Sequence, residues 1–188
     1  NKGNEKLIIL SHGLEGSSQG KYIRGMIQYT GQKGLDGLAW NCRSCSGVPN
    51  RKKRFYHSGD TQDFDLVIQH ALKQKQYREI YLVGFSMGGN ITLKYLGEKA
   101  GQISSSIKGA VTFSVPVMLK ESAQQISKGF SKLYGQNFLY YLKRKIWQKQ
   151  DLLNDFDFKD IKNIKTLMEF DNELTAPLHG FINANDYY

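Results

Sequence analysis

The stretch Ile80-Tyr81-Leu82-Val83-Gly84-Phe85-Ser86-Met87-Gly88-Gly89 constrains this chain more than any other segment. An apolar run leads into a serine that has glycine two positions before it and two positions after it. Where a strand turns sharply into a helix, side chains two residues either side of the apex would collide, so glycines there are a steric demand. The same turn pushes the apex side chain out at the carboxyl edge of a sheet. There it meets the free N–H groups and partial positive charge of the following helix. An N-capping serine would also suit a helix start, but a cap has no need of glycine on both sides. Ser86 is therefore the candidate nucleophile, on a turn supported by Gly84, Gly88 and Gly89.

Three more short apolar runs read as strands: Leu7–Leu10, Gly37–Trp40 and Ala110–Phe113. Each is bounded by Gly, Ser, Asn or charged residues, as buried parallel strands are. Helical patterns over Tyr22–Gln32, Phe64–Gln74 and Asn90–Lys99 separate them, which predicts βαβ units and a mostly parallel sheet with helices on both faces. After Pro116 the pattern turns helical throughout. Phe138 to Leu142 with Ile146 and Trp147 form an apolar stripe beside Lys143, Arg144, Lys145 and Lys149. That suits a helix packed on a core or lid, or a basic amphipathic helix on a membrane surface. Ile164–Asp171 and Pro177–Asn185 read as helices as well, with Pro177 in a first turn. The expected division is a core over 1–116 and a helical cap over 117–188.

With 188 residues the chain can bury a continuous core. Its 26 basic and 17 acidic residues give a net charge of +9. That balance permits an anionic partner, but the basic residues are scattered, so no specific nucleic-acid footprint is expected. No apolar run approaches the roughly 20 residues that cross a bilayer. The start at Asn1-Lys2-Gly3 lacks an initiator Met and a signal peptide, and the end at Tyr188 lacks a cap or polar tail. Both ends read as truncated. The two cysteines, Cys42 and Cys45, have no second pair for a zinc site and read as reduced thiols of a cytoplasmic protein. Arg51-Lys52-Lys53-Arg54 reads as a solvated loop. Asp60, Asp63 and Asp65 lack the glycine and terminal glutamate of a cation loop, so Thr61 or Asp63 is expected to cap the helix that follows.

A second chemical signal follows the first strand, at Ser11-His12-Gly13-Leu14-Glu15-Gly16. A His-Gly pair there suits a loop that lends a backbone N–H to an oxyanion. The N–H of Leu14 would act with that of Met87, while His12 and Gly13 shape the loop.

These segments carry a family resemblance. His12 to Ser17, Arg43 to Asn50, Tyr56 to Asp60, Gly84 to Asn90 and the tail from Glu169 through His179-Gly180 to Asp186-Tyr187-Tyr188 resemble the YheT-like (EMB-type) branch of the α/β-hydrolase superfamily. Ser44 and Val48 depart from its usual Gly and Glu. The resemblance implies an α/β-hydrolase fold with a cap insertion. It also implies hydrolysis of short-chain or acylglycerol-like carboxylic esters through an acyl-enzyme on Ser86, with no cofactor or metal. A small-molecule ester would be the partner, with weak lipid contact through the cap, where residues around Phe138 to Trp147 would line an acyl pocket. The triad Asp and His are expected after Tyr188, since His179 matches a family position that is not the base and His57 and His70 precede Ser86. An inactive binding protein on the same scaffold, or an acyltransferase using the same serine, is compatible with these residues.

Overall fold

The computed structural model describes residues 4–74, 77–154 and 156–188, with the backbone alone described at Lys159. Four strands, β1 (Lys6–Ser11), β2 (Asp36–Ala39), β3 (Glu79–Phe85) and β4 (Ile107–Phe113), make one parallel sheet in the order β2-β1-β3-β4. They alternate with α1 (Lys21–Gln32), α2 (Thr61–Lys73) and α3 (Met87–Glu98). This is the α/β architecture expected from the sequence.

The strand order places the site. The step from β1 to β2 runs in one direction along the sheet, while the steps from β2 to β3 and β3 to β4 run in the other. Right-handed crossovers in opposite directions put α1 on one face and α2 and α3 on the other, and α2 packs against α3. The reversal falls between β1 and β3, where a crevice opens outside the carboxyl ends of an α/β sheet. Ser11 lies level with Gly84 in the register, so the loops leaving β1 and β3 emerge side by side.

Side-chain alternation divides the central strands between two apolar layers. Leu10 and Val83 pack with Ile23 of α1. Leu7, Ile9, Ile80 and Leu82 point the other way and are buried as well. On β4, the outermost of the described strands on that side, Val111 and Phe113 are exposed, so the cover expected from the sequence is incomplete there. Capping of α2 also differs from expectation. Thr61 and Asp63 lie inside the helix, where Thr61 Oγ1 donates to Glu98 Oε2 (2.5 Å) and Asp63 Oδ1 accepts from Arg43 (2.5 Å), while Asp60 is the N-cap residue.

The contacts divide the chain into two compact units, 1–46 with 58–115 and 47–57 with 116–188. The sequence reading placed the boundary at 116/117 and left 47–57 with the core. The second unit is helical: α4 (Leu119–Gln125), α5 (Ser131–Trp147), α6 (Phe158–Asn163), α7 (Leu167–Phe170), a π turn over Asp171–Thr175, α8 (Ala176–His179) and α9 (Ala184–Tyr187). Its core joins Phe55 to Leu139 and Ile146 of α5 and to Leu153, Ile161, Phe170 and Leu174. Thr166 and Asn183 accept from the backbone N–H three residues on, and Glu169 and Asp186 reach back to the N–H groups of Lys165 and Ile182, which starts α7 and α9 with reciprocal caps. The continuous helix expected over Pro177–Asn185 is broken at Gly180, whose φ of +81° only glycine adopts freely. Among the described residues no helix is long and apolar enough to cross a membrane.

The basic loop 51–54 is held from within. Lys149, just past the end of α5, is buried. Its ammonium donates to Asn50 Oδ1 (3.1 Å) and to the carbonyls of Lys52, Lys53 (3.0 Å) and Arg54 (3.5 Å), and lies 3.7 Å from the Phe55 ring centre. The carbonyls thus find one cation, and the side chains of Arg51, Lys52 and Lys53 stay in water.

Asp171 gives this unit a pH dependence. Burial pushes its carboxyl from 3.8 up to about 6, against hydrogen bonds from Thr175 and from the Tyr188 hydroxyl (2.8 Å) that pull it down. A raised carboxyl pKa means the folded form binds more protons than the unfolded chain between about pH 4 and 6, so this group's contribution falls as pH rises through that window. Asp171→Asn keeps an acceptor for Tyr188 and cannot ionise. In thermal melts from pH 4 to 7.5, the variant should gain stability relative to the parent as pH rises from about 4 to 6 and level off above that. A pH-independent difference would show that Asp171 does not titrate in this way.

Candidate active site

Ser86 sits at the turn between β3 and α3 with φ +51° and ψ −120°, a conformation that L residues hold only when their surroundings impose it. Its N–H donates to the carbonyl of Phe113 at the end of β4 (2.8 Å), and its carbonyl accepts from Gly89 (2.9 Å) and Asn90 (3.1 Å). One strand therefore pins the turn from behind while the helix starts in front. A Cβ on Gly84 would lie 2.5 Å from the Gly89 Cα and 2.6 Å from the Gly88 carbonyl oxygen. On Gly88 it would come within 2.5 Å of the Ser11 carbonyl and closer still to that of His12. On Gly89 it would meet the Val115 side chain at 2.7 Å. Gly84 and Gly88 face backbone and have no room for a side chain, while at Gly89 the nearest neighbour is the side chain of Val115. The helix expected from Asn90 begins at Met87, since helical periodicity is hard to see through two glycines.

The loop after β1 passes directly beside this turn. A Cβ on Gly13 would be 3.2 Å from the Ser86 Cβ and 3.8 Å from its Oγ. Gly16 N–H donates to the Gly13 carbonyl (2.9 Å), closing a tight turn with Leu14 and Glu15 in the middle. Glu15 adopts φ +56°, so the turn is of type II. That hydrogen bond leaves the Leu14 N–H outside it. The N–H of Met87, the first residue of α3, likewise has no intrahelical acceptor.

His12 is buried, with both ring nitrogens engaged. Nε2 accepts from the Cys42 N–H (3.1 Å), which places the ring proton on Nδ1, and Nδ1 donates to the Gly13 carbonyl (2.7 Å). Both bonds tie the ring to backbone on either side of it and leave no nitrogen for a substrate proton. Gly13 N–H donates to the Tyr22 hydroxyl (3.0 Å). The Tyr22 ring meets Phe85 edge-on at 5.0 Å, and Phe85 stacks on Phe113 at 5.1 Å. Burial raises the Tyr22 phenol above its usual range, against the pull of the Gly13 N–H, so the hydroxyl stays protonated. Trp40 Nε1 donates to Ser11 Oγ (2.8 Å) and fixes the end of β1.

Sequence reasoning missed Tyr22 and Trp40, because each acts across a loop that no local pattern encodes. The other candidates lie elsewhere. His70 is exposed on α2 with Gln74 beside it (3.4 Å). Cys42 and Cys45 are free and buried. Asp65 accepts from the Tyr95 hydroxyl (3.1 Å) and pairs with Lys99 (3.5 Å). In the second unit the His57 and His179 rings meet at 4.6 Å, with His179 Nδ1 on the Thr175 carbonyl (2.7 Å).

A parallel sheet with a strained Gly-x-Ser-x-Gly turn beside a His-Gly loop defines a class of protein, and the comparisons agree with it. Residues 6–145 match the family described as the alpha/beta hydrolase fold, and the chain belongs to that family. It is similar to YheT of Escherichia coli (strain K12), 32% identical over 185 residues that span 96% of this chain and 54% of that protein. It is also similar to the monoacylglycerol lipase of Saccharomyces cerevisiae (strain ATCC 204508 / S288c), 31% identical over 194 residues, covering 97% of this chain and 42% of the lipase. Among solved structures, the Pyrococcus furiosus esterase Pf2001 superposes with a TM-score of 0.58 at 24% identity, over 70% of this chain and 50% of that one. That likeness shows the fold. The chain spans about half the length of the curated relatives it matches.

The geometry makes Tyr22 the fastener of the loop. Tyr22→Phe keeps the ring on Phe85 and deletes the acceptor for Gly13. Amide exchange at Gly13 should speed up by about tenfold, the equivalent of about 1.4 kcal/mol for one lost hydrogen bond. Unchanged exchange would show that the phenol does not hold the loop.

Proposed function

We propose that this chain carries the nucleophile and oxyanion hole of a serine hydrolase that cleaves carboxylic esters. The observation that carries the reading is the positive φ of Ser86 between glycines that cannot accept a Cβ, directly beside Gly13. Such strain is maintained where it presents a reacting atom. Ser86 Oγ gives its proton to the base as it attacks the ester carbonyl, and the N–H groups of Leu14 and Met87 receive the developing oxyanion. Its collapse breaks the ester bond and expels the alcohol with that proton. Water, deprotonated by the same base, then releases the acyl group as the acid and returns the proton to Ser86. The chemistry uses a hydroxyl, a base and backbone dipoles, so it needs neither metal nor organic cofactor. The base is assigned to the protein beyond Tyr188. The tautomer of His12 supports this, since it leaves that ring no free nitrogen, and so does the exposed position of His70. We assign the substrate to short-chain or acylglycerol-like esters. The similarity to a yeast protein named monoacylglycerol lipase supports that class.

Two variants of the full-length protein test this. Ser86→Ala should abolish fluorophosphonate labelling and lower turnover of p-nitrophenyl esters by about 10⁶-fold, the cost of losing a triad nucleophile. Labelling that persists at another residue would overturn the assignment. Leu14 occupies the second position of its turn, where proline is well tolerated, and Leu14→Pro deletes the N–H without adding strain. It should lower kcat by about 10²–10³-fold with the fold intact. Unaltered kcat would remove Leu14 from the oxyanion hole.

A further inference from the structure

Helix α5 is apolar on both sides. Gly135, Leu139 and Ile146 are buried and face the core of the second unit. At 100° per residue, Leu133, Tyr134, Tyr140 and Tyr141 point away from that core, and Phe130 continues their row from the preceding turn. Phe130 is 90% exposed, Leu133 and Tyr134 69%, Tyr140 61% and Tyr141 42%. The outer face of a helix on a globular unit is ordinarily polar. A contiguous row of this size marks a contact surface.

Charge selects the occupant. From Ser122 to Gln150 there is no acidic residue, while Lys128, Lys132, Lys143, Arg144, Lys145 and Lys149 are basic. Lys143 and Lys149 are spent on carbonyls of their own unit, Lys143 on those of Lys162 (2.9 Å) and Ile164 (2.6 Å). Lys128, Lys132 and Arg144 remain exposed, Arg144 within the aromatic face, Lys128 two residues before Phe130 and Lys132 on the flank of the helix nearer the core. Tyrosine rings with a wet hydroxyl and an apolar body suit the headgroup level of a bilayer, with cations reaching up to anionic lipids. A second copy of this helix would oppose like charges with no carboxylate of its own segment to pair them. We propose that the outer face of α5, with Phe130, seats this protein on an anionic lipid surface. The inference concerns where the protein binds and does not depend on the ester-hydrolase reading.

The test uses the full-length protein carrying Ser86→Ala, so that binding is read apart from turnover, in sedimentation with vesicles of phosphatidylcholine alone or with 30% phosphatidylserine. Binding to the anionic vesicles should be at least about tenfold tighter and should weaken as salt is raised. Joint replacement Phe130→Ser, Tyr134→Ser and Tyr140→Ser should lower affinity for them by about tenfold or more. Lys128→Glu, Lys132→Glu and Arg144→Glu together should abolish the preference for anionic lipid. Because all six side chains are exposed, these variants should keep the parent's circular dichroism. Hydroxyl-radical labelling of Tyr134 and Tyr140 should be high in the free protein and fall with anionic vesicles. Equal binding to both vesicle types, or no binding, would overturn the proposal. So would labelling already suppressed without lipid, which would show that protein covers the face. So would a dimer abolished by the serine substitutions.

Discussion

The carboxyl edge of the sheet depends on how closely the first turn of α3 approaches the end of β1. At Gly88 the helix backbone lies against the carbonyls of Ser11 and His12 with no space for a methyl group. That approach brings the first N–H groups of α3 level with the loop leaving β1. It is possible only because the chain reverses within one residue at Ser86, in a conformation the rest of the fold imposes. The Phe113 carbonyl, which receives the Ser86 N–H, supplies the opposing constraint from β4. Strain at the serine, the helix start and the neighbouring loop are thus one steric arrangement seen from three positions.

The loop opposite the serine is held through Gly13. Its N–H is taken by Tyr22, its carbonyl by His12 and by Gly16, and its missing side chain by Ser86. Every backbone group of that residue is committed, which orients the peptide that follows it. His12 is itself fixed by a backbone N–H from the far side of β2, and the Tyr22 ring by the Phe85–Phe113 stack. The loop beside Ser86 is therefore fixed through its main chain, where substitution of side chains reaches it only indirectly.

Much of this was legible in the sequence, for reasons that differ by element. The four strands stood out because short apolar runs bounded by breakers have few other uses, and the turn at Ser86 because steric demands write glycines at fixed offsets. The start of α3 was set three residues late because glycine carries no helical signal. The caps of α2 were misassigned because Thr61 and Asp63 have partners, Glu98 and Arg43, that lie far along the chain. Tyr22, Trp40 and the acceptor role of His12 were illegible for the same reason: each rests on one hydrogen bond across 9 to 30 residues. Lys149 belonged by pattern to a basic surface, yet it is buried, since its acceptors are backbone carbonyls that no composition rule reveals. The break at Gly180 could have been read from the glycine.

Lys149 reaches back 95 to 99 positions to close on the loop it holds. During synthesis the segment 47–57 therefore emerges well before its partners, with α2, β3, α3 and β4 made in between. At about 5–20 residues per second this interval lasts roughly 5–20 s, ample for the sheet to pair and for α1, α2 and α3 to pack. The helical unit cannot complete its core until α5 and the residues as far as Leu174 arrive to meet Phe55, and His57 waits longer still, for His179, Phe181 and Tyr187. Birth order on the ribosome thus puts these four strands before the helical unit, with residues 50–57 as the seam between early and late synthesis.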